Sequence, residues 1–214
     1  MSVVSIVIMV CCGIVAYLLG SIPTAVWVGK RFHGIDVREH GSGNAGTTNV
    51  LRVLGTRAAL PVLLIDVLKG FLAVLLAYLI PDVERGTETF GIIKIGCGLL
   101  AVVGHMYPIF AGFKGGKGVA TMLGIAMAIQ PPATLVGVGV FIVVFLITRI
   151  VSVSSMSAGL SFPIAVIFIF KENMLSFQIF SILVYLLLLY THRRNIQRLL
   201  NGTEPRTVFK KKGS

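Results

Sequence analysis

The sequence is poor in charged residues, and poorest in carboxylates. Only 13% of its 214 residues are charged, and Asp and Glu together number eight. Soluble globular domains carry about 25% charged residues, which excludes a water-soluble domain built on one core. The hydrophobic content of 56% and the mean hydropathy of +0.93 point the same way. The composition therefore predicts an all-α, polytopic membrane protein.

The sequence also lacks the patterns that hold metals or nucleic acids. Its cysteines, Cys11, Cys12 and Cys97, lie in apolar segments without metal-ligand spacing, and no set of carboxylates resembles a metal cage. We therefore expect no metal and no cofactor. The net charge of +11 does not indicate nucleic-acid binding, because no groove of stacking aromatics accompanies the basic residues. Membrane lipids and phosphorylated small molecules are the expected partners, and we expect no obligate protein partner.

Apolar segments recur along most of the chain. A membrane-spanning helix needs about 20 apolar residues. The candidate segments are 3–28, 58–80, 90–112, 119–130, 133–148, 156–170 and 174–190. Because 119–130 is too short to cross a bilayer alone, the count falls to five or six if this segment is re-entrant. We expect about seven transmembrane helices, some of them short, in one domain of residues 1–208, and a disordered tail at 209–214.

Basic residues are distributed unevenly between the two sides of this arrangement. Fifteen of the nineteen Lys and Arg residues fall on the side that carries the C-terminus. Since cytoplasmic loops are enriched in Lys and Arg, we expect the N-terminus outside and the C-terminus in the cytoplasm. Three segments rich in glycine and polar residues, 41–52, 104–121 and 192–204, also fall on this side. Charge and exposed backbone are costly near hydrocarbon, so these three polar segments indicate a chemical site.

The first polar segment, 41–52, alternates flexible and polar residues. Such a loop can fold around an anion and direct N–H groups at it. A short helix at 50–53 would follow, and Asn49 and Arg52 would share one of its faces. The alternative is a glycine-rich surface turn. The candidate phosphate-binding residues are Ser42, Gly43, Asn44, Thr48, Asn49 and Arg52.

The second polar segment, 104–121, is only superficially similar to a nucleotide P-loop. Gly112 precedes Gly116 by four positions, Gly118 replaces the expected hydroxyl residue, and no strand precedes the motif, so we reject an ATPase. A glycine turn that opens a helix at Val119 still offers N–H groups and a positive dipole to an anion. The candidate phosphate-binding residues are Lys114, Gly115, Gly116, Lys117 and Gly118.

The third polar segment, 192–204, follows the last apolar segment. His192 and Asn195 are three residues apart and are expected to face one direction. The histidine can exchange a proton near neutral pH. Arg149 and Ser152, after the fifth apolar segment, have the same spacing and are added to the phosphate-binding candidates.

Two charged residues lie inside the second apolar segment. Charges at such depth usually pair or line a cavity, so we expect Asp66 and Lys69 to form a buried pair that orients the site. His105, near the end of the third apolar segment, is expected to be a structural hydrogen-bonding residue.

The polar motifs resemble the PlsY family of bacterial membrane glycerol-3-phosphate acyltransferases. The resemblance covers nearly the whole chain. Ala45 stands where many relatives carry proline, which changes a turn and no polar group. The matching stretches are GSGNAGTTNVLR at 41–52, DVLKG at 66–70, GHMYPIF at 104–110, FKGGKGVAT at 113–121, TRIVS at 148–152 and HRRNIQRLLNGTE at 192–204.

The resemblance implies a reaction and a location. The enzyme would transfer an acyl group from acyl phosphate to the sn-1 hydroxyl of glycerol 3-phosphate, giving lysophosphatidic acid and phosphate for phospholipid biosynthesis. It would be a multi-pass protein of the bacterial inner membrane, with its active site facing the cytoplasm. The functional positions that the resemblance implies are Ser42, Asn49, Arg52, Lys114 and Lys117 with the glycines around them, Ser152, His192 and Asn195. Among these, the candidate catalytic residues are Ser42, Arg52, Lys114, His192 and Asn195.

Mechanistic alternatives remain at this point. The hydroxyl proton could pass to His192, or to a phosphate oxygen of a substrate while His192 orients the acceptor. No Asp follows a histidine at the His-x4-Asp spacing of other glycerolipid acyltransferases, which favours the substrate-assisted route. Acyl phosphate is reactive enough to need no acyl-enzyme, so Ser42 is expected to contact phosphate and not to act as a nucleophile. The main rival function is a transporter or flippase, which would place polar groups at mid-membrane depth.

Overall fold

The computed structural model describes residues 1–206, and the tail expected at 209–214 lies outside the described residues. Within residues 1–206 the chain is helical and has no strand, which confirms the predicted all-α class. Short 3₁₀ turns lie at Val37–Glu39, Leu76–Leu79 and Ile109–Ala111, and a π-helical turn at Ala165–Ile169 extends α8. The α-helices are α1 Val3–Gly20, α2 Thr24–His33, α3 Thr47–Leu54, α4 Thr56–Leu75, α5 Glu88–Met106, α6 Val119–Ile129, α7 Pro131–Thr148, α8 Val151–Ile164, α9 Leu175–Thr191 and α10 Arg193–Leu200.

The described residues contain five helical segments that are long and apolar enough to span a membrane. A sixth is obtained if α9 and α10, which meet at a 59° bend, are taken as one span. Helix α6 has only 11 residues, as the short apolar segment predicted. Seven full spans therefore remain a prediction. The five segments are Val3–His33, Thr56–Leu79, Glu88–Ala111, Pro131–Thr148 and Val151–Ile169.

Several helix boundaries differ from the sequence-based expectation: α3 begins at Thr47 and not at residue 50, and α8 begins at Val151 and not at residue 156. The first apolar segment is broken at residues 21–23, between α1 and α2, where the Ser21 hydroxyl donates to the carbonyl of Tyr17. The Pro131–Pro132 pair was expected to precede the next helix, but it forms the first turn of α7. Proline is tolerated there because the first-turn N–H groups have no partner within the helix.

Glycines allow the helices to approach closely. A Cβ atom placed on Gly70 of α4 would collide with the Thr121 carbonyl of α6, and one on Gly20 of α1 would collide with the backbone of Ala101 in α5. Small residues at helix crossings increase van der Waals contact between backbones, which is the main source of helix association in lipid. These crossings hold α4 against α6 and α1 against α5.

The end of the bundle that lacks the polar segments is closed by carboxylates. The carboxylate of Glu88 accepts hydrogen bonds from the backbone N–H groups of Leu175, at 2.6 Å, and Ser176, at 3.1 Å, at the start of α9. Asp82 accepts from the hydroxyls of Ser2 and Ser5, each at 2.7 Å, at the start of α1. Negative charge at a helix N-terminus satisfies free N–H groups and complements the dipole. We call this the opposite end, and the end that carries the polar segments the site end.

Candidate active site

The polar segments meet at the site end. Just before the first segment, the Arg38 guanidinium donates to two carbonyl oxygens of the second, those of Ala111, at 2.8 Å, and Lys114, at 3.3 Å. The first segment itself approaches the second at Ala45, whose carbonyl oxygen would lie 3.0 Å from a Cβ atom on Gly116. Between the second and third, the Lys117 ammonium donates to the side-chain oxygen of Asn195. Residues far apart in the sequence thus line one region beside the apolar helices.

Asn49 organises the first polar segment from within. Its side-chain N–H groups donate to the carbonyls of Val37, at 2.7 Å, and His40, at 3.0 Å. Its oxygen accepts from the backbone N–H and the hydroxyl of Ser42, at 2.8 and 3.1 Å. With only 2% of its surface exposed, the amide is engaged at both ends. In this structure Asn49 shapes the loop that presents Ser42, and phosphate binding by Asn49 stays a prediction.

Backbone amides of the glycine loops are also engaged within the protein. The N–H groups of Gly115 and Gly116 donate to the carbonyls of Met106 and His105, each at 3.1 Å, and the N–H of Gly43 donates to His40, also at 3.1 Å. These three N–H groups are therefore occupied in this structure, and phosphate binding by the glycines stays a prediction. Close packing accounts for Gly115 and Gly116, because Cβ atoms there would collide with the carbonyl oxygen and the ring of His105, whereas Gly43 has a positive φ of 70° that favours glycine.

Other residues of the first segment remain accessible. Ser42 and Thr48 are exposed, and Asn44 is half-buried. The Arg52 side chain, also exposed on α3, lies close enough to act electrostatically on Lys117. The cationic and hydroxyl side chains of this segment are therefore better placed to meet a phosphate than its amides.

The two lysines of the second segment have different environments. Lys114 is exposed at the rim, whereas Lys117 is half-buried at the last turn before α6. Burial, together with the positive charges of Arg198 and Arg52, lowers the pKa of Lys117 to about 8. Lys117 is therefore the central cation of the site, and Lys114 lies at its edge.

Glu204 joins the third segment to α8. One carboxylate oxygen accepts from Asn195, at 2.6 Å, and from the Ser152 hydroxyl, at 2.8 Å, while the other accepts from Arg198 at 2.7 Å. Burial alone would raise the pKa of Glu204, but these hydrogen bonds outweigh it and lower the pKa. Asn195 therefore links Glu204 to Lys117. Glu204 and Arg198 were not selected as site residues from the sequence, although both lie in the matching stretch 192–204.

His192 occupies the bend between α9 and α10 and is 4% exposed. Its Nδ1 lies 2.9 Å from the carbonyl oxygen of Leu188. A carbonyl only accepts, so Nδ1 carries the proton and Nε2 carries a lone pair in the neutral ring. The charge of Lys117 also acts on this ring. His192 is thus held in the tautomer that can accept a proton at Nε2.

The predicted ion pair in α4 is present behind the second segment. Lys69 Nζ lies 2.9 Å from Asp66 Oδ1 and donates to the Ile22 carbonyl at 3.0 Å, and the Thr24 hydroxyl donates to the same Asp66 oxygen at 3.2 Å. His105 Nδ1 lies 3.7 Å from that oxygen. Since His105 also packs against Gly116, this buried cluster supports the loop that carries Lys117.

Arg149 and Ser152 lie on either side of the short link between α7 and α8. Arg149 ends α7 with a positive φ of 58° and has an exposed side chain. Ser152, three residues later, is buried, and its hydroxyl donates to Glu204.

Among residues 1–206, no group of three or more His, Cys, Asp or Glu side chains is arranged to hold a metal ion.

Comparison with known proteins identifies the family. Residues 10–202 match the model of the family described as glycerol-3-phosphate acyltransferase. The chain belongs to the glycerol-3-phosphate acyltransferase family. The match includes every candidate site residue from Ser42 to Asn195, and it ends before Glu204.

Relatives of this acyltransferase match over nearly their whole length. The chain is 41% identical over 230 residues to a glycerol-3-phosphate acyltransferase of Chlorobium limicola, covering 92% of this chain and 95% of that protein. It is 44% identical over 198 residues to one of Thermosynechococcus vestitus, covering 90% and 92%. A solved structure of PlsY, described as an integral membrane glycerol 3-phosphate acyltransferase in its glycerol 3-phosphate form, is 40% identical, with a TM-score of 0.81 and coverage of 94% and 96%. The acyltransferase is therefore an integral membrane enzyme.

Proposed function

We propose that this glycerol-3-phosphate acyltransferase takes its acyl group from acyl phosphate and transfers it to the sn-1 hydroxyl of glycerol 3-phosphate. The products are lysophosphatidic acid and inorganic phosphate. The observation that carries the proposal is the meeting of Lys117, with the nearby charge of Arg52, and the tautomerically fixed His192 at the site end. The solved structures of the PlsY relative in glycerol 3-phosphate and lysophosphatidic acid forms support this substrate and product.

The cations hold phosphate. Lys117 and Arg52 act on each other electrostatically, and no carboxylate among residues 1–206 forms an ion pair with either. A phosphate placed between them would relieve their repulsion and gain charge-assisted hydrogen bonds. The exposed Ser42 hydroxyl and the Lys114 ammonium contribute at the edge, where a second phosphate is accommodated. Each of the two substrates carries a phosphate group, which explains why the cations are distributed over more than one polar segment.

The chemistry then needs little more than positioning. The sn-1 oxygen attacks the acyl carbonyl carbon, a new carbon–oxygen bond forms, and the bond from that carbon to the phosphate oxygen breaks. Lys117 and Arg52 stabilise the departing phosphate through preorganised charge. Ser42 is not a nucleophile, because its hydroxyl contacts the Asn49 amide oxygen, which is not a base. No acyl-enzyme is formed.

The hydroxyl proton leaves through Nε2 of His192 or through a phosphate oxygen of a substrate. In the first route the Nε2 lone pair accepts a hydrogen bond from the sn-1 hydroxyl and then its proton. In the second the sn-1 hydroxyl directs its single hydrogen at a phosphate oxygen, and the Nε2 lone pair orients glycerol 3-phosphate by accepting from its other hydroxyl. Asn195 is held between Lys117 and Glu204 by hydrogen bonds to both. It therefore fixes the position of the Lys117 ammonium relative to His192, three residues earlier on the chain. We place the enzyme in the bacterial inner membrane with the site end facing the cytoplasm, where the positive-inside rule puts its basic residues.

A donor comparison tests the proposal. Purified protein in lipid is supplied with glycerol 3-phosphate and with palmitoyl phosphate, palmitoyl-CoA or palmitoyl acyl carrier protein in parallel. We expect lysophosphatidic acid and phosphate in equal amounts from palmitoyl phosphate alone. Product from either thioester would overturn the proposed donor. Movement of glycerol 3-phosphate across vesicles without product would instead indicate a transporter.

A further inference from the structure

Arg38 lies on the 3₁₀ turn Val37–Glu39, just before the first polar segment, and Asp36 fixes its guanidinium. Arg38 Nε and Nη2 donate to the two oxygens of the Asp36 carboxylate, at 3.0 and 2.7 Å, and this carboxylate also accepts from the backbone N–H of Arg38 at 3.0 Å. Lys30 Nζ lies 3.2 Å from Asp36. Two parallel hydrogen bonds to a carboxylate set the plane of a guanidinium as well as its position. They leave the third nitrogen, Nη1, for other acceptors.

Nη1 of Arg38 binds a strained turn of the second polar segment. It donates to the carbonyl oxygens of Ala111, at 2.8 Å, and Lys114, at 3.3 Å. Between these carbonyls lie Gly112 and Phe113, whose φ angles are positive, 62° and 59°. A phenylalanine rarely adopts such a backbone, which persists only where surrounding contacts hold it. The Phe113 side chain is exposed, so the two hydrogen bonds from Arg38, and not packing of the ring, hold the turn at both ends.

The two lysines of the second segment are thus positioned by different contacts. The Lys117 ammonium donates to Asn195 of the third segment. Lys114 is exposed, and its fixed point is its own carbonyl, held by Arg38. A lysine side chain is flexible, so the place that its ammonium can reach depends on where the backbone is held. Arg38 therefore sets the point from which Lys114 approaches the edge of the site.

We infer that Arg38 is a positioning residue for acyl transfer, because it holds the turn 111–114 so that Lys114 meets a substrate phosphate. This inference rests on the proposed function, which gives Lys114 that phosphate contact. The three nitrogens of Arg38 are occupied by Asp36 and the two carbonyls, so Arg38 does not itself bind substrate. Its effect on catalysis should therefore pass through Lys114 and vanish when the Lys114 side chain is absent.

A double-mutant cycle tests this dependence. Arg38→Lys keeps the positive charge but has one nitrogen, which cannot pair with Asp36 and hold both carbonyls. With glycerol 3-phosphate and palmitoyl phosphate, we expect the KM of one substrate to rise about fivefold, as for one exposed ionic contact, while kcat changes less. Lys114→Ala should raise the same KM, and adding Arg38→Lys to it should raise this KM no further. Arg31→Lys, the same substitution at an exposed residue of α2, is the control and should match the wild type.

Hydrogen exchange measures the turn in the absence of substrate. The N–H of Phe113 donates to the Pro108 carbonyl at 2.9 Å, and it exchanges when the turn opens. In Arg38→Lys we expect the peptide that contains Phe113 to exchange about fivefold faster, as the loss of one hydrogen bond predicts. Peptides from α5 should keep their rates, and Arg31→Lys should exchange as the wild type does.

The inference and the proposed function can fail separately. If Lys114→Ala is impaired but Arg38→Lys has wild-type KM values or wild-type exchange, the inference alone is overturned. An Arg38→Lys effect of equal size with and without the Lys114 side chain also overturns it. If Lys114→Ala changes neither KM, the phosphate role of Lys114 under the proposed function fails, and the inference fails with it.

Two substitutes keep the test decisive. If Arg38→Lys does not fold, Asp36→Asn replaces it in the cycle and in the exchange measurement, because it keeps Arg38 but weakens the pair that fixes the guanidinium. If palmitoyl phosphate gives no turnover, only the proposed donor is refuted. The KM of glycerol 3-phosphate is then measured with the donor that gives product, and the same outcomes apply.

Discussion

The two ends of the helix bundle use charged residues in different ways. At the opposite end, Glu88 and Asp82 are occupied by the helix starts that they cap. Lys94, 8% exposed, lies between the rings of Tyr78 and Phe177, with Nζ 5.8 and 5.6 Å from their centroids. Such contacts stabilise a cation without a counter-ion.

At the site end, by contrast, carboxylates hold the framework and leave two cations without an ion pair. Glu204 binds Ser152, Asn195 and Arg198 and acts on Lys117 only through its charge, while neither Lys117 nor Arg52 forms an ion pair with a carboxylate among residues 1–206. Charge that is neutralised locally contributes to stability, whereas charge left unmatched is available to a ligand. Substitutions at the two ends should therefore affect different observables.

The largest effect is expected at His192. His192→Ala removes the Nε2 lone pair that receives the hydroxyl hydrogen bond, and kcat should fall roughly 10²- to 10⁴-fold. Steady-state kinetics with purified protein measure it, and His33→Ala, at an exposed histidine of α2, is the control. His192→Gln separates the two proton routes, since an amide can orient the hydroxyl but is not a base. Near-normal turnover in His192→Ala would remove this residue from the mechanism.

Glu204→Gln should affect both activity and stability. The neutral amide cannot accept from Asn195, Ser152 and Arg198 together, and the loss of hydrogen bonds to a charged group costs about 1.5–3 kcal/mol. We expect a lower Tm and a lower kcat/KM, because Asn195 no longer holds Lys117 in place. Thermal unfolding in detergent and kinetics are measured together, with Glu39→Gln at an exposed position as the control. A variant with wild-type values of both would show that the network is dispensable.

Arg52→Ala should weaken substrate binding more than turnover. Removing one charge-assisted phosphate contact is expected to raise the KM of a phosphorylated substrate roughly tenfold. Arg57→Ala is the control: it removes one positive charge from an exposed residue, as Arg52→Ala does, but the residue lies in α4 and not in α3. Equal KM values in the two variants would indicate a general surface-charge effect.

Lys117 should produce an alkaline limit in the pH profile. Its pKa is lowered to about 8, so raising the pH through this value removes the charge that holds phosphate. We expect kcat/KM to decline above about pH 8, and Lys117→Arg should move the decline to higher pH because guanidinium stays protonated. Lys114→Arg is the control, and its kcat/KM should decline at the same pH as that of the wild type. If Lys117→Arg retains that limit too, another group is responsible.

The smallest effect on catalysis is expected at the opposite end. Glu88→Gln weakens the cap on α9, so Tm should fall slightly while kcat/KM stays at the wild-type value. Kinetics and thermal unfolding of the same preparation measure both. Loss of activity in a folded Glu88→Gln protein would show that the two ends are coupled.

Hydropathy and motif spacing were sufficient to predict the fold class and the location of the polar segments. Apolar runs of helix-spanning length have few alternatives in lipid, since each backbone group must be paired within its own segment. The all-α class, the short α6 and the buried Asp66–Lys69 pair follow from that constraint. The motifs also located the polar segments, because flexible and charged residues near hydrocarbon are retained only where they have a use.

Only the tertiary structure decided how each polar group is used. A sequence shows that Asn49, Gly115 and Gly116 carry donors, but the partners of those donors come from residues that folding brings near, here Val37, Met106 and His105. Lys114 and Lys117 are equivalent by spacing and differ by burial. Glu204 became a central residue only when α8, α10 and the residues that follow α10 met around it. The sequence specifies which residues carry hydrogen-bond donors, acceptors and charges. Which partner each of these groups contacts depends on distances that are set only when the helices pack.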